Sequence, residues 1–188
     1  IRFKVYGENA QTATEQAIVE LKRLDKMLSS YSGDSEINQI NANAGQPVQV
    51  SPETLAVVER ALNYARITDG VFDPTIGAVS KLWLVGKQGN FVPEQGQIEQ
   101  ALSLVDYTLV ETDMEESTVK LGQEGMQLDL GGVAKGYILE RLRDILLQNG
   151  IKSALINGGG DVLTIGKRPD GKLWRVGVQD PRKTDGMA

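Results

Sequence analysis

A chain of 188 residues, 40% of them hydrophobic and 24% charged, has the size and composition of one globular domain or slightly more. Its formal net charge of −5, without any cluster of Lys and Arg, argues against a general nucleic-acid binder. The sequence contains no Cys and no His, which excludes disulfides, thiolate nucleophiles, Ser-His-Asp triads and His-liganded metals within the chain and leaves oxygen ligands for any Mg²⁺ or Ca²⁺.

The first half of the chain predicts one strand followed by three helices. The stretch "IRFKVYG" alternates apolar and polar residues, as a half-buried strand does. Apolar residues at helical spacing predict a helix within residues 10–29. Asp34 or Ser35 can cap a short helix that follows, and Ser51 can cap a longer one that Gly70 ends.

The second half mixes both kinds of element. It predicts a helix over residues 94–105 and strands in "YTLVET", "STVKL" and "MQLDL". A long helix is predicted in "GVAKGYILERLRDILLQNG", and further strands in "KSALING", "DVLTIG" and "KLWRVGVQD". No apolar run approaches the roughly 20 residues of a membrane span. The mixture of strands and helices predicts an α/β or an α+β fold.

The stretch "LDLGGVAKG" is the first candidate for chemistry. A predicted strand ends at Leu130 and a helix begins near Val133, so backbone N–H groups and glycines could receive a phosphate. Lys135 opposes the helix dipole in the first turn, which makes sense if an anion binds nearby. A tight strand–helix turn with a surface lysine remains the alternative, and the stretch matches neither common nucleotide loop.

Three other stretches hold weaker signals. "TDGVFDPTIG" places a carboxylate, a hydroxyl and an aromatic ring in one irregular loop, although helix capping and a core Phe explain it equally well. "INGGGDVLTIG" leaves room for close backbone approach, or is a flexible hairpin. "SSYSGDSEINQIN" offers Tyr31 for ring stacking and is uninformative by itself.

The joint order of these stretches resembles the ApbE family, the FAD:protein FMN transferases. The matching segments are "YSGDSEINQIN", "TDGVFDPTIGAVSKLW", "LDLGGVAKGYILERL", "GIKSALINGGGDVLTIG" and "WRVGVQDP". They stand in family order at family-like spacing over nearly the whole chain, and "DGVFDPT" with "DLGGVAKGY" are the most specific. The resemblance implies an α+β fold, a mixed sheet packed with helices. It also implies one flavin-transferase domain over residues 1–188, comprising its N-terminal and central portion.

The resemblance also implies an activity. Such proteins bind FAD and Mg²⁺, move FMN from FAD onto a Thr or Ser hydroxyl of an acceptor protein, and release AMP. It implies FAD contacts by seven residues and a metal contact by the Gly132 carbonyl. The seven FAD residues are Tyr31, Val71, Phe72, Asp73, Asp129, Lys135 and, more weakly, Asp161. No catalytic residue is assigned.

Family members continue into a C-terminal portion, where an Asp and a Thr complete the metal site, and this chain ends before it. It also begins after their usual export signal. We therefore expect a fragment or a shortened form with an incomplete metal site and weak or absent catalysis. By resemblance alone, the protein is expected in the bacterial cell envelope, at the membrane only through a lipid anchor not present in this chain.

Three other functions remain open from the sequence. The chain could be an FAD pyrophosphatase that yields FMN and AMP, or a flavin-binding module that holds FAD without cleaving it. Apart from the resemblance, "GGVAKG" would also suit a Mg²⁺-dependent binder of phosphate esters.

Overall fold

The computed structural model describes residues 1–31, 33–83, 92–178, 180 and 182. Helices and short antiparallel sheets share these residues, so the predicted α+β class is confirmed. In chain order the elements are β1 (Arg2–Tyr6), α1 (Ala10–Leu28), α2 (Glu36–Ala42), β2 (Val48–Gln49), α3 (Pro52–Ile67), α4 (Gly77–Leu82), α5 (Gln95–Leu102), a 3₁₀ turn (Tyr107–Leu109), β3 (Val110–Asp113), β4 (Thr118–Leu121), α6 (Gly131–Gln148), β5 (Ser153–Gly158) and β6 (Asp161–Gly166). Among the described residues, no helix combines the length and apolar composition that a membrane span needs.

The chain divides into two compact units. Unit 1 comprises Ile1–Leu21 and Ile138–Ala188, and unit 2 comprises Lys22–Tyr137. The divisions fall inside helices α1 and α6. That residues 1–188 form a single flavin-transferase domain stays a prediction.

Unit 1 contains an antiparallel sheet in the order β1-β5-β6. Ala154 and Ile156 of the central strand β5 are fully buried, as expected for alternate residues on the covered face of a sheet. Gly158 ends β5 against helix α6, where an added Cβ would lie 3.1 Å from Cδ2 of Leu139. The small residue therefore lets helix and strand pack closely.

Unit 2 contains the second sheet, β2-β4-β3, and the larger hydrophobic core. Helix α3 packs an apolar stripe of Leu55, Val58 and Leu62 into this core, and the segment before α6 adds alternate buried residues. The buried residues of this core are Leu28, Ile37, Ile40, Val50, Leu55, Val57, Val58, Ala61, Leu62, Val119, Leu121, Met126, Leu128, Leu130, Val133 and Ala134.

The predicted helix starts are largely confirmed. The Ser35 hydroxyl accepts the Asn38 N–H at 3.0 Å, so Ser35 rather than Asp34 caps α2. The Ser51 hydroxyl accepts the Thr54 N–H at 3.2 Å at the start of α3. Helix α5 is shorter than predicted, because the chain leaves the helix at Ser103.

Two predicted strands are wrong. "MQLDL" is extended and alternates in burial, but it pairs with a loop through one isolated bridge, Ile76 with Gln127, rather than with a strand. "KLWRVGVQD" forms no strand in residues 172–178, and its Leu173, Val176 and Val178 side chains are exposed. Gln179 lies outside the described residues. β-propensity makes a strand only where a partner supplies the ladder of hydrogen bonds.

Candidate functional site

The loop after α3 is shaped by its backbone. Asp69 and Gly70 have left-handed φ angles of 52° and 76°, which reverse the chain after the helix. The Thr68 hydroxyl then accepts the Phe72 N–H at 3.1 Å. Val71, at the tip of the turn, is 91% exposed. The sequence "TDGVF" thus presents two apolar side chains from a fixed turn.

The Asp73 carboxylate holds the next part of this loop in place through hydrogen bonds. Its Oδ1 accepts the Thr75 N–H at 2.7 Å and the Thr75 hydroxyl at 2.6 Å, and its Oδ2 accepts the Tyr107 N–H at 3.0 Å. The Thr75 hydroxyl, fully buried, also accepts the Asp106 N–H at 2.9 Å. Thr75, Asp106 and Tyr107 were not predicted as site residues, although an Asp side chain commonly bonds the backbone two residues further along the chain.

The segment before α6 is hydrogen-bonded to this loop. The Asp129 N–H donates to the Pro74 carbonyl at 2.8 Å, and the Gly77 N–H donates to the Gln127 carbonyl at 3.0 Å. A Cβ at Gly77 would lie only 2.6 Å from the Gln127 oxygen, so a larger residue would separate the two segments. Glycine at this position therefore keeps Asp129 beside the loop.

Asn41, in α2, is a further residue that the sequence analysis missed. Its side-chain Nδ2 donates to the Leu128 carbonyl at 3.0 Å, and its Oδ1 accepts the Leu128 N–H at 2.7 Å. The two residues are 87 positions apart, so no local pattern in a single sequence would have revealed the contact.

Helix α6 begins at Gly131, where Leu130 accepts the first hydrogen bonds of the helix. Asp129 precedes Leu130, the residue that flanks the helix, and its Oδ1 accepts the Gly131 N–H at 2.9 Å, so it satisfies one of the N–H groups that the helix start leaves without a partner inside the helix. Phe72 lies against Gly132, because a Cβ there would be 2.8 Å from its Cε2. Tyr64 meets Phe72 edge to face, with ring centroids 6.5 Å apart.

The loop after α3 and the start of α6 line an open cavity of about 570 Å³, a volume within the range of small-molecule sites. Its lining comes from the loop, the start of α6 and one residue after α5. The lining residues are Gly70, Val71, Phe72, Asp73, Ile76, Val105, Asp129, Gly131 and Gly132. Five of the eight residues assigned from the sequence are therefore brought together.

The other three assigned residues do not line this cavity. Tyr31 is 71% exposed between α1 and α2, and its N–H donates to the Ser29 hydroxyl at 3.1 Å. Lys135 is exposed one turn into α6, and Asp161 is exposed at the first position of β6 in unit 1. All eight ligand contacts stay predictions.

The loop that carries Tyr31 also contains an exposed ion pair. The Lys26 ammonium lies 2.8 Å from the Asp34 carboxylate. The hydrogen bond from Lys26 to Asp34, together with the negative charge of Asp34, raises the pKa of Lys26 above the usual value. This pair joins α1 to the residues that precede α2.

A complete magnesium site does not fit the described residues by themselves. No group of three or more acidic side chains among them could hold a metal ion. The Asp73 carboxylate already accepts three hydrogen bonds, two from Thr75 and one from Tyr107, which leaves it about one lone pair. A carbonyl inside an α-helix accepts the N–H four residues on, which leaves the Gly132 carbonyl one lone pair for a metal.

The family model described as "ApbE family" matches residues 1–188. The chain belongs to the ApbE family. Proteins named FAD:protein FMN transferase from Treponema pallidum and Klebsiella pneumoniae are 34% and 35% identical to it, over 97% and 96% of this chain. The chain spans about half of these relatives, 56% and 55% of their lengths.

Solved structures agree with the family assignment. The ApbE protein of Thermotoga maritima is 36% identical, with a TM-score of 0.87 over 97% of this chain and 60% of its own. A mutant of the flavin transferase ApbE from Vibrio cholerae has a TM-score of 0.86 over 95% of this chain and 63% of its own. At 24% identity, that second likeness speaks for the fold alone.

Proposed function

We propose that this chain carries the FAD site of an FAD:protein FMN transferase, which moves FMN onto a Thr or Ser hydroxyl of an acceptor protein and releases AMP. Membership of the ApbE family and the names of the relatives support the activity. The observation that carries the proposal for this chain is the cavity between the Gly70–Asp73 loop and the start of α6.

The cavity suits a dinucleotide with a charged centre and flat rings. The first turn of α6 directs backbone N–H groups toward its start, where they would bind a pyrophosphate beside Gly131 and Gly132 of the cavity lining. Val71 and Phe72 offer apolar surface to a ring. Asp129 adds carboxylate oxygen for a ribityl, ribose or ring donor.

In the proposed transfer, the acceptor hydroxyl oxygen bonds to the phosphorus of the FMN half and gives up its proton. The phosphorus–oxygen bond to the AMP half breaks, and AMP leaves with the additional negative charge. The helix start lowers the energy of that charge through its partial positive charge. In this transfer the residues of the chain bind and orient FAD, and those that the structure describes do not by themselves complete a set of Mg²⁺ ligands.

Localisation is proposed from the family resemblance. The protein would act in the bacterial cell envelope, with a lipid anchor as its attachment to the membrane. Fractionation of source cells with an antibody against this chain tests the idea, and recovery in the cytosol alone would contradict it.

The test incubates the chain with FAD and Mg²⁺, with and without a protein that carries an acceptor Thr. Mass spectrometry then follows FMN on the acceptor, and chromatography follows FMN and AMP. Acceptor-bound FMN with AMP release supports the transferase. Free FMN and AMP irrespective of acceptor indicates a pyrophosphatase, and bound, intact FAD indicates a binding module.

A matched pair of lysines tests the nucleotide site itself. Lys135→Ala should weaken FAD binding about fivefold or more, since one charge–phosphate contact contributes about 1 kcal/mol or more. Lys22→Ala, an exposed lysine within α1, should leave it unchanged. Equal affinities for both variants in a calorimetric titration would count against the proposed contact between Lys135 and the nucleotide. Binding of adenine nucleotides without binding of riboflavin derivatives would favour a general phosphate-ester site.

A further inference from the structure

The peptide unit between Leu128 and Asp129 is held from both of its polar ends. Its carbonyl, from Leu128, accepts Asn41 Nδ2 at 3.0 Å, and its N–H, from Asp129, donates to the Pro74 carbonyl at 2.8 Å. Because a peptide unit is planar, two such bonds fix its orientation. They therefore fix ψ of Leu128 and φ of Asp129.

Asn41 also holds the preceding peptide unit. Its Oδ1 accepts the Leu128 N–H at 2.7 Å, so one side-chain amide binds both polar groups of Leu128 as a neighbouring strand would. The Leu128 side chain is fully buried, and these backbone groups would lose their partners if Asn41 were absent. This explains how "MQLDL" stays extended without a partner strand.

Asp129 is the residue on which these restraints act. Its Cβ direction follows from the fixed backbone, and its Oδ1 accepts the Gly131 N–H at 2.9 Å, which joins it to the start of α6. Asp129 and Gly131 line the cavity, whereas Asn41 does not. Asn41 thus lies outside the lining of the proposed ligand site and is linked to Asp129 through the backbone of Leu128.

We infer that Asn41 is a positioning residue for flavin-nucleotide binding, acting through the backbone of Leu128 to aim the Asp129 carboxylate into the cavity. The inference rests on the proposed function. If Asn41 had only a structural role, its replacement would lower the stability of the fold, but its effect on FAD binding would not depend on whether Asp129 is present. The two roles therefore differ in a measurable coupling.

The experiment is a double-mutant cycle with Asn41→Asp and Asp129→Ala, read as the calorimetric Kd for FAD. Asn41→Asp keeps the side-chain shape and one acceptor but turns a carboxylate oxygen toward the Leu128 carbonyl. We expect about tenfold weaker FAD binding from it alone and less than about twofold in the Asp129→Ala background. The free energy of unfolding should fall equally in both backgrounds.

Asn43→Asp is the matched control. Asn43 caps the same helix, and among the described residues its side chain bonds to the Gln39 carbonyl alone, so FAD affinity should not change. In the ligand-free protein, Asn41→Asp should also speed amide hydrogen exchange at Leu128 and Asp129, while Asn43→Asp should not. This second measurement applies even if the doubly substituted protein binds FAD too weakly for calorimetry.

Three results would overturn the inference. They are an equal loss of FAD affinity in both Asp129 backgrounds, no loss from Asn41→Asp in the otherwise unchanged protein, and unchanged amide exchange at Leu128 and Asp129. If the unsubstituted chain itself bound no FAD, the proposed function would fail and the inference with it. The first three results leave the proposed function standing, so the two failures are distinguishable.

Discussion

Asp73 and Asp129 are both acidic residues beside the cavity, yet their carboxylates have different surroundings. Thr75 gives two donors to the Oδ1 of Asp73, and Tyr107 gives one donor to its Oδ2. Within the described residues, Asp129 receives one donor, the Gly131 N–H at Oδ1, and its Oδ2 receives none. The Asp129 carboxylate therefore keeps more acceptor capacity for a ligand than the Asp73 carboxylate, which mainly holds the loop.

Replacing Asp73 should therefore cost stability. Asp73→Ala leaves the Tyr107 N–H and the Thr75 hydroxyl without their acceptor in a half-buried place. At about 1 to 3 kcal/mol for each unsatisfied buried group, we expect the free energy of unfolding to fall by about 3 kcal/mol. Urea denaturation followed by circular dichroism measures this.

Two variants make the Asp73 prediction specific. Asp73→Asn keeps an acceptor for Thr75 but places an NH₂ group opposite the Tyr107 N–H, so it should lose less than Asp73→Ala. Glu115→Ala removes an exposed acidic side chain near β3 and should change stability by less than about 0.5 kcal/mol. If Asp73→Ala were no more destabilising than Glu115→Ala, Asp73 would not hold the loop.

Elements with strong local signals were predictable from the sequence. The caps at Ser35 and Ser51 and the apolar stripe of α3 needed only residues within one or two turns. The segment "MQLDL" shows the limit of such signals. Its alternating burial was predictable, but its partners are the Asn41 side chain, the Pro74 carbonyl and the Gly77 N–H, which no periodicity identifies.

The candidate site likewise contains residues that could be predicted from the sequence and residues that could not. The glycines and acids that line the cavity stand in motifs that the resemblance to the ApbE family singles out, and five of the residues that it implies as ligand contacts lie together there. The residues that hold them were not assigned, because Asp106 bonds across 31 positions, Tyr107 across 34 and Asn41 across 87. Such contacts depend on the tertiary fold, which a single sequence does not reveal.

Helix α6 offers a prediction at the level of an element, because it holds two glycines in different surroundings. An added methyl group at Gly132 would meet the Phe72 ring, whereas at Gly136 it would meet nothing within 4 Å. Gly132→Ala should displace Phe72 and weaken FAD binding about tenfold or more. Gly136→Ala should leave binding unchanged and stabilise the helix by about 0.5 to 1 kcal/mol.

Fluorescence titration of FAD gives the affinities of both variants, and thermal unfolding gives their stabilities. The pair separates helix propensity from site geometry, because Ala is the better helix former at both positions. Unchanged FAD affinity in Gly132→Ala would show that the contact between Phe72 and α6 does not shape the nucleotide site.

For the whole molecule, the division into two units predicts which part of the chain a bound ligand should stabilise most. Every residue that lines the cavity belongs to unit 2, between Lys22 and Tyr137. Asp161, the weakest of the assigned contacts, belongs to unit 1. A ligand that binds the folded form alone stabilises what it binds, so protection by FAD should be greatest in unit 2.

This leads to a prediction for FAD and Mg²⁺ added separately and together. FAD at a hundred times its Kd should raise the free energy of unfolding by about 2.7 kcal/mol and slow amide exchange mainly in residues 70–77 and 127–136. Mg²⁺ alone should do neither, because the described residues contain no acidic cluster that could hold it. Chelation with EDTA should then leave a ligand-free protein unchanged and weaken only the FAD complex, since phosphate oxygens supply the ligands that Mg²⁺ prefers. Stabilisation by Mg²⁺ alone, equal to that by FAD with Mg²⁺, would instead mean that the chain forms a metal site of its own.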